Sequence, residues 1–240
     1  MEERSTLGGS SLIPHSLFLI HYSLFFLLLL RISNASTPTE LDSFLDAWAE
    51  KAKGVRSLSL RFRQEKKLRI LRRPKISEGE LLYAGEQLWV RMRGRTGDVE
   101  SELLLKDGEL RILYPRLKRL EVLDVGEGKS GKGFGVGTSI PFFAGDPREA
   151  KRDYEVTLER RKESDFLTLT PRAENARVKR LELELVDFEV RRYRQLEKNG
   201  DEMHFEVLSV EINPEVPEGS FELKVPRGTR IVRPGRRKRN

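Results

Sequence analysis

From residue 57 to residue 232 the chain alternates apolar with polar residues at a period of two. Leu58, Leu60 and Phe62 are separated by Ser59 and Arg61; Leu88, Val90 and Met92 interleave with Arg91 and Arg93; Leu181, Leu183 and Leu185 enclose Glu182 and Glu184. Side chains of a strand point to opposite faces in turn, so this pattern predicts strands with one face buried and one in water. Further strands are predicted at Gly79–Ala84, Glu102–Lys106, Leu110–Tyr114, Lys118–Asp124, Tyr154–Arg160, Phe166–Thr170, Val178–Val186, Val190–Glu197, Met203–Ile212, Phe221–Val225 and Thr229–Val232. Asp107-Gly108 and Asn199-Gly200 tolerate the positive φ of tight hairpin turns. Many hairpins in series predict an α+β, mainly β chain built on a large curved antiparallel sheet or open barrel.

Two helices interrupt the alternation. Thr37-Pro38-Thr39-Glu40 has a cap, a proline at the first helical position and a glutamate three residues after the cap. Leu41, Phe44, Leu45, Trp48 and Ala52 then form one apolar stripe, and Gly54 ends the segment. Asp146-Pro147-Arg148-Glu149 is a second capping box and predicts a short helix. Just before it, Phe142 and Phe143 follow a glycine-rich run and read as an apolar flap or a plug for a sheet edge.

That run, Gly126–Gly137, satisfies G-x-x-x-x-G-K through Gly126, Gly131 and Lys132, but Gly133 stands where a phosphate loop needs Ser or Thr for magnesium. No helix can begin in the following KGFGVG, so the run reads as a loop without a nucleotide. No nucleophile, paired-carboxylate or metal motif appears, which argues against an enzyme and against a cofactor. The chain has no cysteine and three histidines, of which only His204 lies beyond the N-terminal region, on an alternating strand as a solvent-facing residue. A metal centre is not expected.

Leu17–Leu30 is an apolar run of signal-peptide length, and Ser33-Asn34-Ala35 places small residues where a signal peptidase cuts. This divides the chain into a signal peptide, 1–35, a domain, 36–232, and a basic disordered tail, 233–240. Retention of Leu17–Leu30 as a membrane anchor is the alternative. Without cysteine the exported chain cannot carry an N-terminal lipid. The net charge of +7 is concentrated in the tail, whose five cations leave about +2 for the rest. No aromatic residue interleaves them, so nucleic acid is not the expected partner.

Several motifs, taken in order, resemble the periplasmic LolA-type family of outer-membrane lipoprotein carriers. An amphipathic helix precedes Phe62-Arg63-Gln64, which is similar to the family's F-x-Q. Ser77-Glu78-Gly79-Glu80-Leu81 is similar to its S-x-G-x-L, followed by an apolar strand at Leu88-Trp89-Val90. Asp107-Gly108 with Tyr114-Pro115, a strand ending at Thr170-Pro171, and Phe221, Pro226 and Gly228 complete the set across residues 37–232. The resemblance implies an open antiparallel half-barrel with an N-terminal helix and short lid helices over a concave apolar face. That face would shield acyl chains of lipoproteins or related lipid, received from a lipoprotein-releasing ABC transporter and passed to an outer-membrane acceptor by a monomer. Leu60, Phe62, Leu82, Leu88, Val90, Met92, Phe142 and Phe143 are the expected lining. The family's Arg-Pro, which tethers the lid, is replaced by Ala84-Gly85, with Arg91 and Arg93 the nearest substitutes. The reading from another class is a membrane-anchored envelope interaction protein that binds a protein partner with the same half-barrel.

Overall fold

The structure, a computed structural model, describes residues 39–125 and 146–233. Leu17–Leu30 with its cleavage site, Thr37, Pro38, the Gly126–Gly137 run, Phe142, Phe143 and the tail beyond Arg233 lie outside the described residues.

Among the described residues twelve strands form one sheet: β1 (Ser57–Lys67), β2 (Lys75–Ala84), β3 (Gln87–Gly94), β4 (Val99–Lys106), β5 (Glu109–Tyr114), β6 (Arg119–Asp124), β7 (Tyr154–Arg160), β8 (Asp165–Pro171), β9 (Val178–Val186), β10 (Glu189–Glu197), β11 (Glu202–Ile212) and β12 (Arg230–Val232). Their order across the sheet is β12, β6, β5, β4, β3, β2, β1, β11, β10, β9, β8, β7. Every pairing is antiparallel except that of β12 with β6. The two end strands do not meet, so the sheet is an open half-barrel. Its register slips at four places, among them Leu208 of β11 opposite Arg61 and Phe62, and such bulges bend and twist a sheet locally.

Helix α1 (Glu40–Lys53) starts two residues later than the expected Pro38, so Glu40 is its first residue rather than its third. Glu40 and Asp42 in the first turn and Lys51 and Lys53 in the last oppose the helix dipole favourably. Phe44, Leu45, Trp48 and Ala49 are buried in one cluster with the inner face of the sheet. The helix passes into β1 through a clamp that sequence reading missed. Asn213, at φ 56°, accepts from the backbone N–H groups of Arg56 at 2.7 Å and Ser57 at 3.2 Å, and donates to the Gly54 carbonyl at 2.8 Å. The N-cap half of the second capping box forms: the Asp146 carboxylate accepts from the Arg148 N–H at 2.9 Å, opening a 3-10 turn (Pro147–Glu149) that continues as α2 (Ala150–Asp153).

Asp107 and Gly108 both have positive φ, as a tight primed turn requires. At Asn199-Gly200 only Gly200 does, and its N–H bonds the Glu197 carbonyl at 3.0 Å, so this turn is the longer kind with one left-handed residue. Phe221–Val225 forms no strand. Pro214, Pro217 and Pro226 break up the donors around it, and the segment contributes side chains instead: Phe221 is buried and Leu223 packs on Leu113, Leu120 and Val122. Those three belong to the outer face, because Leu113 pairs with Leu120 and Arg111 with Val122, in the opposite parity to Leu110 and Ile112. The run Leu103-Leu104-Leu105 is buried throughout, as a strand covered on both faces must be.

Candidate functional site

The inner face is set by the register of three strands. Phe62 stands opposite Gly79, and Gly79 opposite Met92; Leu60, Leu81 and Val90 form the next row, and Leu58, Tyr83 and Leu88 the next. The first row explains two of the sequence motifs together. A Cβ on Gly79 would lie 2.1 Å from the Phe62 ring, so only glycine lets that ring lie flat over the neighbouring strand. On the other side of β1 the same ring stacks on Phe205 with centroids 4.4 Å apart. Thus the F-x-Q phenylalanine and the S-x-G glycine are cross-strand partners in one packing unit.

The expected lining residues divide accordingly. Leu60, Phe62, Leu88 and Val90 share the inner face and are 2–4% exposed. Met92 shares it too and is half-buried at the margin of the same cluster. Leu82 does not: it pairs with Ser59 and Trp89 and faces outward. Of the adjacent leucines at 81 and 82 only one can turn inward, and Gly79 facing Phe62 fixes that one as Leu81. Phe142 and Phe143 lie outside the described residues.

Helix α1 covers this face, and its attachments differ in kind along its length. Along its length Phe44, Leu45 and Trp48 are buried. At its N-terminal end Asp42 pairs with Lys151 and Asp46 with Arg148 at 3.6 Å, tying the helix to the 3-10 turn and α2. Arg148 also grips Asp146 through two nitrogens, and this guanidinium holds the Asp146 carboxyl below the ordinary carboxylate range. At its C-terminal end Lys51 donates to the Asp187 carbonyl at 2.5 Å, and in its N-terminal half Phe44 packs on Phe188 at 5.1 Å. Asp187 and Phe188 make the β9–β10 turn with φ of 50° and 62°. A bulky residue rarely adopts that region, so the turn stores strain while it presents the Phe188 ring to the helix. No glycine marks this turn in the sequence, which is why Phe188 escaped the reading.

Beside that turn, Trp48, Ala52 and Val55 face Leu58, Val190, Val207, Val210 and Ile212 across an apolar cleft. Its free volume is only about 50 Å³, far below the roughly 300 Å³ at which small-molecule pockets begin. Ile212 and Leu208, on the same strand, remain 39% and 47% exposed. A larger groove, of about 450 Å³, lies on the outer face among Arg63, Glu65, Glu182, Glu184, Arg192, Arg194, His204 and Glu206. Its charges are matched: Arg194 reaches Glu182 at 3.4 Å and Glu202 at 3.1 Å, Arg192 reaches Glu184 at 3.2 Å, and half-exposed His204 bonds Glu202 at 3.1 Å.

The family's lid-tethering arginine finds no replacement at the residues singled out for it. Arg91 and Arg93 both turn to the outer face, Arg91 to Glu102 at 2.7 Å and Arg93 to Glu80 at 4.0 Å. The ion pairs that do hold the helix come from Arg148 and Lys151. Among the described residues no group of three or more His, Asp or Glu could hold a metal ion, and no helix is long and apolar enough to cross a membrane.

No family model and no curated sequence matches this chain. Among solved structures, an uncharacterized conserved protein from Thermus thermophilus is similar at 11% identity over 80% of this chain and 98% of its own, with a TM-score of 0.52. That overlap shows a shared fold. A LolA superfamily protein from Nitrosomonas europaea is similar at 12% identity over 75% of this chain and 97% of its own, with a TM-score of 0.38. The MucA/MucB complex of Pseudomonas aeruginosa is similar at 17% identity over 75% and 60%, with a TM-score of 0.43.

Proposed function

We propose that the protein is an exported carrier that shields acyl chains of lipoproteins, or of related lipid, against the inner face of its half-barrel. The observation that carries this reading is a continuous apolar sheet face covered by one amphipathic helix that is pinned at its ends mainly by surface contacts. Exposed ion pairs of the kind at Asp42–Lys151 and Asp46–Arg148 contribute about 0–1 kcal/mol each. Hydrocarbon transferred from water contributes about 0.8 kcal/mol per methylene. Lifting α1 also uncovers Phe44, Leu45 and Trp48, at about 1.5–3 kcal/mol each, so an acyl chain of ordinary length offers free energy of the same order as the helix gives up. In this reading α1 lies in its closed position: the cleft beside Trp48 is the point of entry, and Leu60, Phe62, Leu88, Val90 and Met92 become lining once the helix lifts. Phe142 and Phe143 would join them from the flap. Cleavage after Ala35 would release a soluble chain, a transporter of the inner membrane would supply the cargo, and an outer-membrane acceptor would take it.

The small size of the cleft favours a second reading, in which the inner face is a permanent core and the chain, anchored by Leu17–Leu30, binds a protein partner. One experiment separates the two. The chain has two tryptophans, and Trp89→Phe leaves Trp48 on the helix as the only one. Titration of this variant with a fluorescent fatty-acyl probe should give saturable binding and a shift in Trp48 emission. Mass spectrometry of the purified protein should show co-purified lipid. Absence of both overturns the carrier reading.

A further inference from the structure

The β1–β2 hairpin leaves the sheet as Lys66-Lys67-Leu68-Arg69-Ile70-Leu71-Arg72-Arg73-Pro74-Lys75. Six of these ten residues are cationic and none is acidic. An exposed loop tip is ordinarily polar, yet here Ile70 is 88% exposed and Leu71 47%. The loop is held in place: the Leu71 N–H bonds the Leu68 carbonyl at 2.8 Å, and Arg69 bonds Asp201 at 2.8 Å and the Asn199 carbonyl at 2.9 Å in the adjoining β10–β11 turn. Its charge is only partly matched. Lys75 reaches Glu100 at 2.8 Å and Lys67 reaches Glu65 at 3.8 Å, whereas Arg72 and Arg73 are exposed and form no ion pair among the described residues. Burial, followed by repulsion from Lys75, pushes the Lys66 ammonium pKa down, against the opposing pull of Glu100 and Glu197. The neighbouring turns add Arg95 and Lys198 at the same end of the sheet, together with Asp98 and with Asp201, which is engaged by Arg69.

We propose that this hairpin docks the protein on an anionic phospholipid surface, with Ile70 and Leu71 entering the acyl boundary and the arginines and lysines lying among the phosphates. Two large aliphatic side chains at the apex of a cationic loop match a medium that is anionic at its surface and apolar just beneath. Nucleic acid would satisfy the charge and leave the aliphatic apex in water, and residues 66–75 contain no aromatic ring for a base to stack on. An acidic protein would satisfy the cations without needing two protruding aliphatics. The inference does not rest on the acyl-carrier reading. It does bear on geometry: β1 has eleven residues, so at a rise of roughly 3.3 Å per residue the α1 cleft near Leu58 lies about 30 Å from the docked tip and stays open to the aqueous side.

The absence of cysteine allows a local test that any membrane affinity of Leu17–Leu30 cannot imitate. The full chain carrying Ile70→Cys is labelled with an environment-sensitive fluorophore, and a second preparation carries the label at Glu86→Cys, an exposed position in the β2–β3 turn at the opposite end. With vesicles of phosphatidylcholine and phosphatidylglycerol the label at 70 should shift to the blue. With phosphatidylcholine alone it should not, and the label at 86 should stay unchanged in both. Adding Arg72→Glu and Arg73→Glu reverses four units of charge and should weaken the apparent affinity read at position 70 by about a hundredfold or more. An unshifted label at 70 on the mixed vesicles overturns the proposal. So does an equal blue shift with duplex DNA, which would mark a general anion site, or an undiminished affinity in the doubly reversed variant.

Discussion

On β3, Leu88 and Val90 turn to the inner face and are 4% exposed, while Trp89 and Arg91, each one residue away, turn to the outer face. There Arg91 reaches Glu102 at 2.7 Å and lies over the Trp89 ring at 4.7 Å. The inner side chains are constrained by volume: each row is filled by contacts from neighbouring strands and from α1, as the pairing of Phe62 with Gly79 shows. The outer ones are constrained by charge balance, which tolerates many arrangements. A substitution on the inner face should therefore act through packing and desolvation, and one on the outer face mainly through Coulomb interactions screened by water.

The largest expected effect comes from Leu88→Glu. Buried carboxylates are costly, and with Leu88 packed as it is in the closed state the cost should reach several kcal/mol. The size of the loss sharpens the comparison. If α1 lifts easily from the inner face, the carboxylate can meet water, so the protein keeps its fold with a moderate loss of melting temperature and binds the acyl probe weakly. Outright failure to fold would mark the inner face as permanent core and favour the protein-binding reading. Normal probe binding by a folded Leu88→Glu protein would place the acyl site elsewhere.

Next in size is Gly79→Ala. Its added Cβ at 2.1 Å from the Phe62 ring forces that ring and its stack on Phe205 to shift, and overpacking of this kind costs about 1–3 kcal/mol. Pairing it with Phe62→Leu removes the clash, so the double variant should be less destabilised than the sum of the single ones in a denaturant titration. Strict additivity would show that the glycine is there for another reason.

The two faces were not equally legible in the sequence. The period-two pattern disclosed a large antiparallel sheet, its hairpins and the inward parity of Leu60, Phe62, Leu88, Val90 and Met92, because sorting by burial leaves a direct imprint on residue type; its half-barrel form came from the family resemblance. It failed where both neighbours are apolar. Leu81-Leu82 has no parity of its own, and the face was settled by a contact between Gly79 and Phe62 on another strand. Phe221–Val225 shows the same limit: its apolar residues cover the outer face as an irregular segment, which alternation alone cannot distinguish from a strand. Asn213 and Phe188 were invisible because left-handed backbone at residues other than glycine leaves little trace in the sequence. The tie of α1 to Arg148 and Lys151 was missed because it links residues about a hundred positions apart, among many charges of either sign.

The smallest expected effect tests the outer face on the same strand. Arg91 and Glu102 are 2.7 Å apart with side chains 31% and 12% exposed, and Glu80 lies 3.9 Å from the same guanidinium. Arg91→Glu removes one attraction and places three carboxylates together, while water and Arg93 remain at hand to offset them. Glu102 is largely buried, so losing its cation costs more than the 0–1 kcal/mol of an exposed pair, about 1–2 kcal/mol, and the melting temperature should fall by several degrees at low salt and by less at high salt. The swap Arg91→Glu with Glu102→Arg should recover part of that loss, since it restores a cross-strand pair in reversed order. Probe binding should be unchanged in either variant, because the inner face sees neither charge. A fall of several kcal/mol that salt does not relieve, or a loss of acyl-probe binding, would mean that the outer face is coupled to the packing within and would break the distinction drawn on β3.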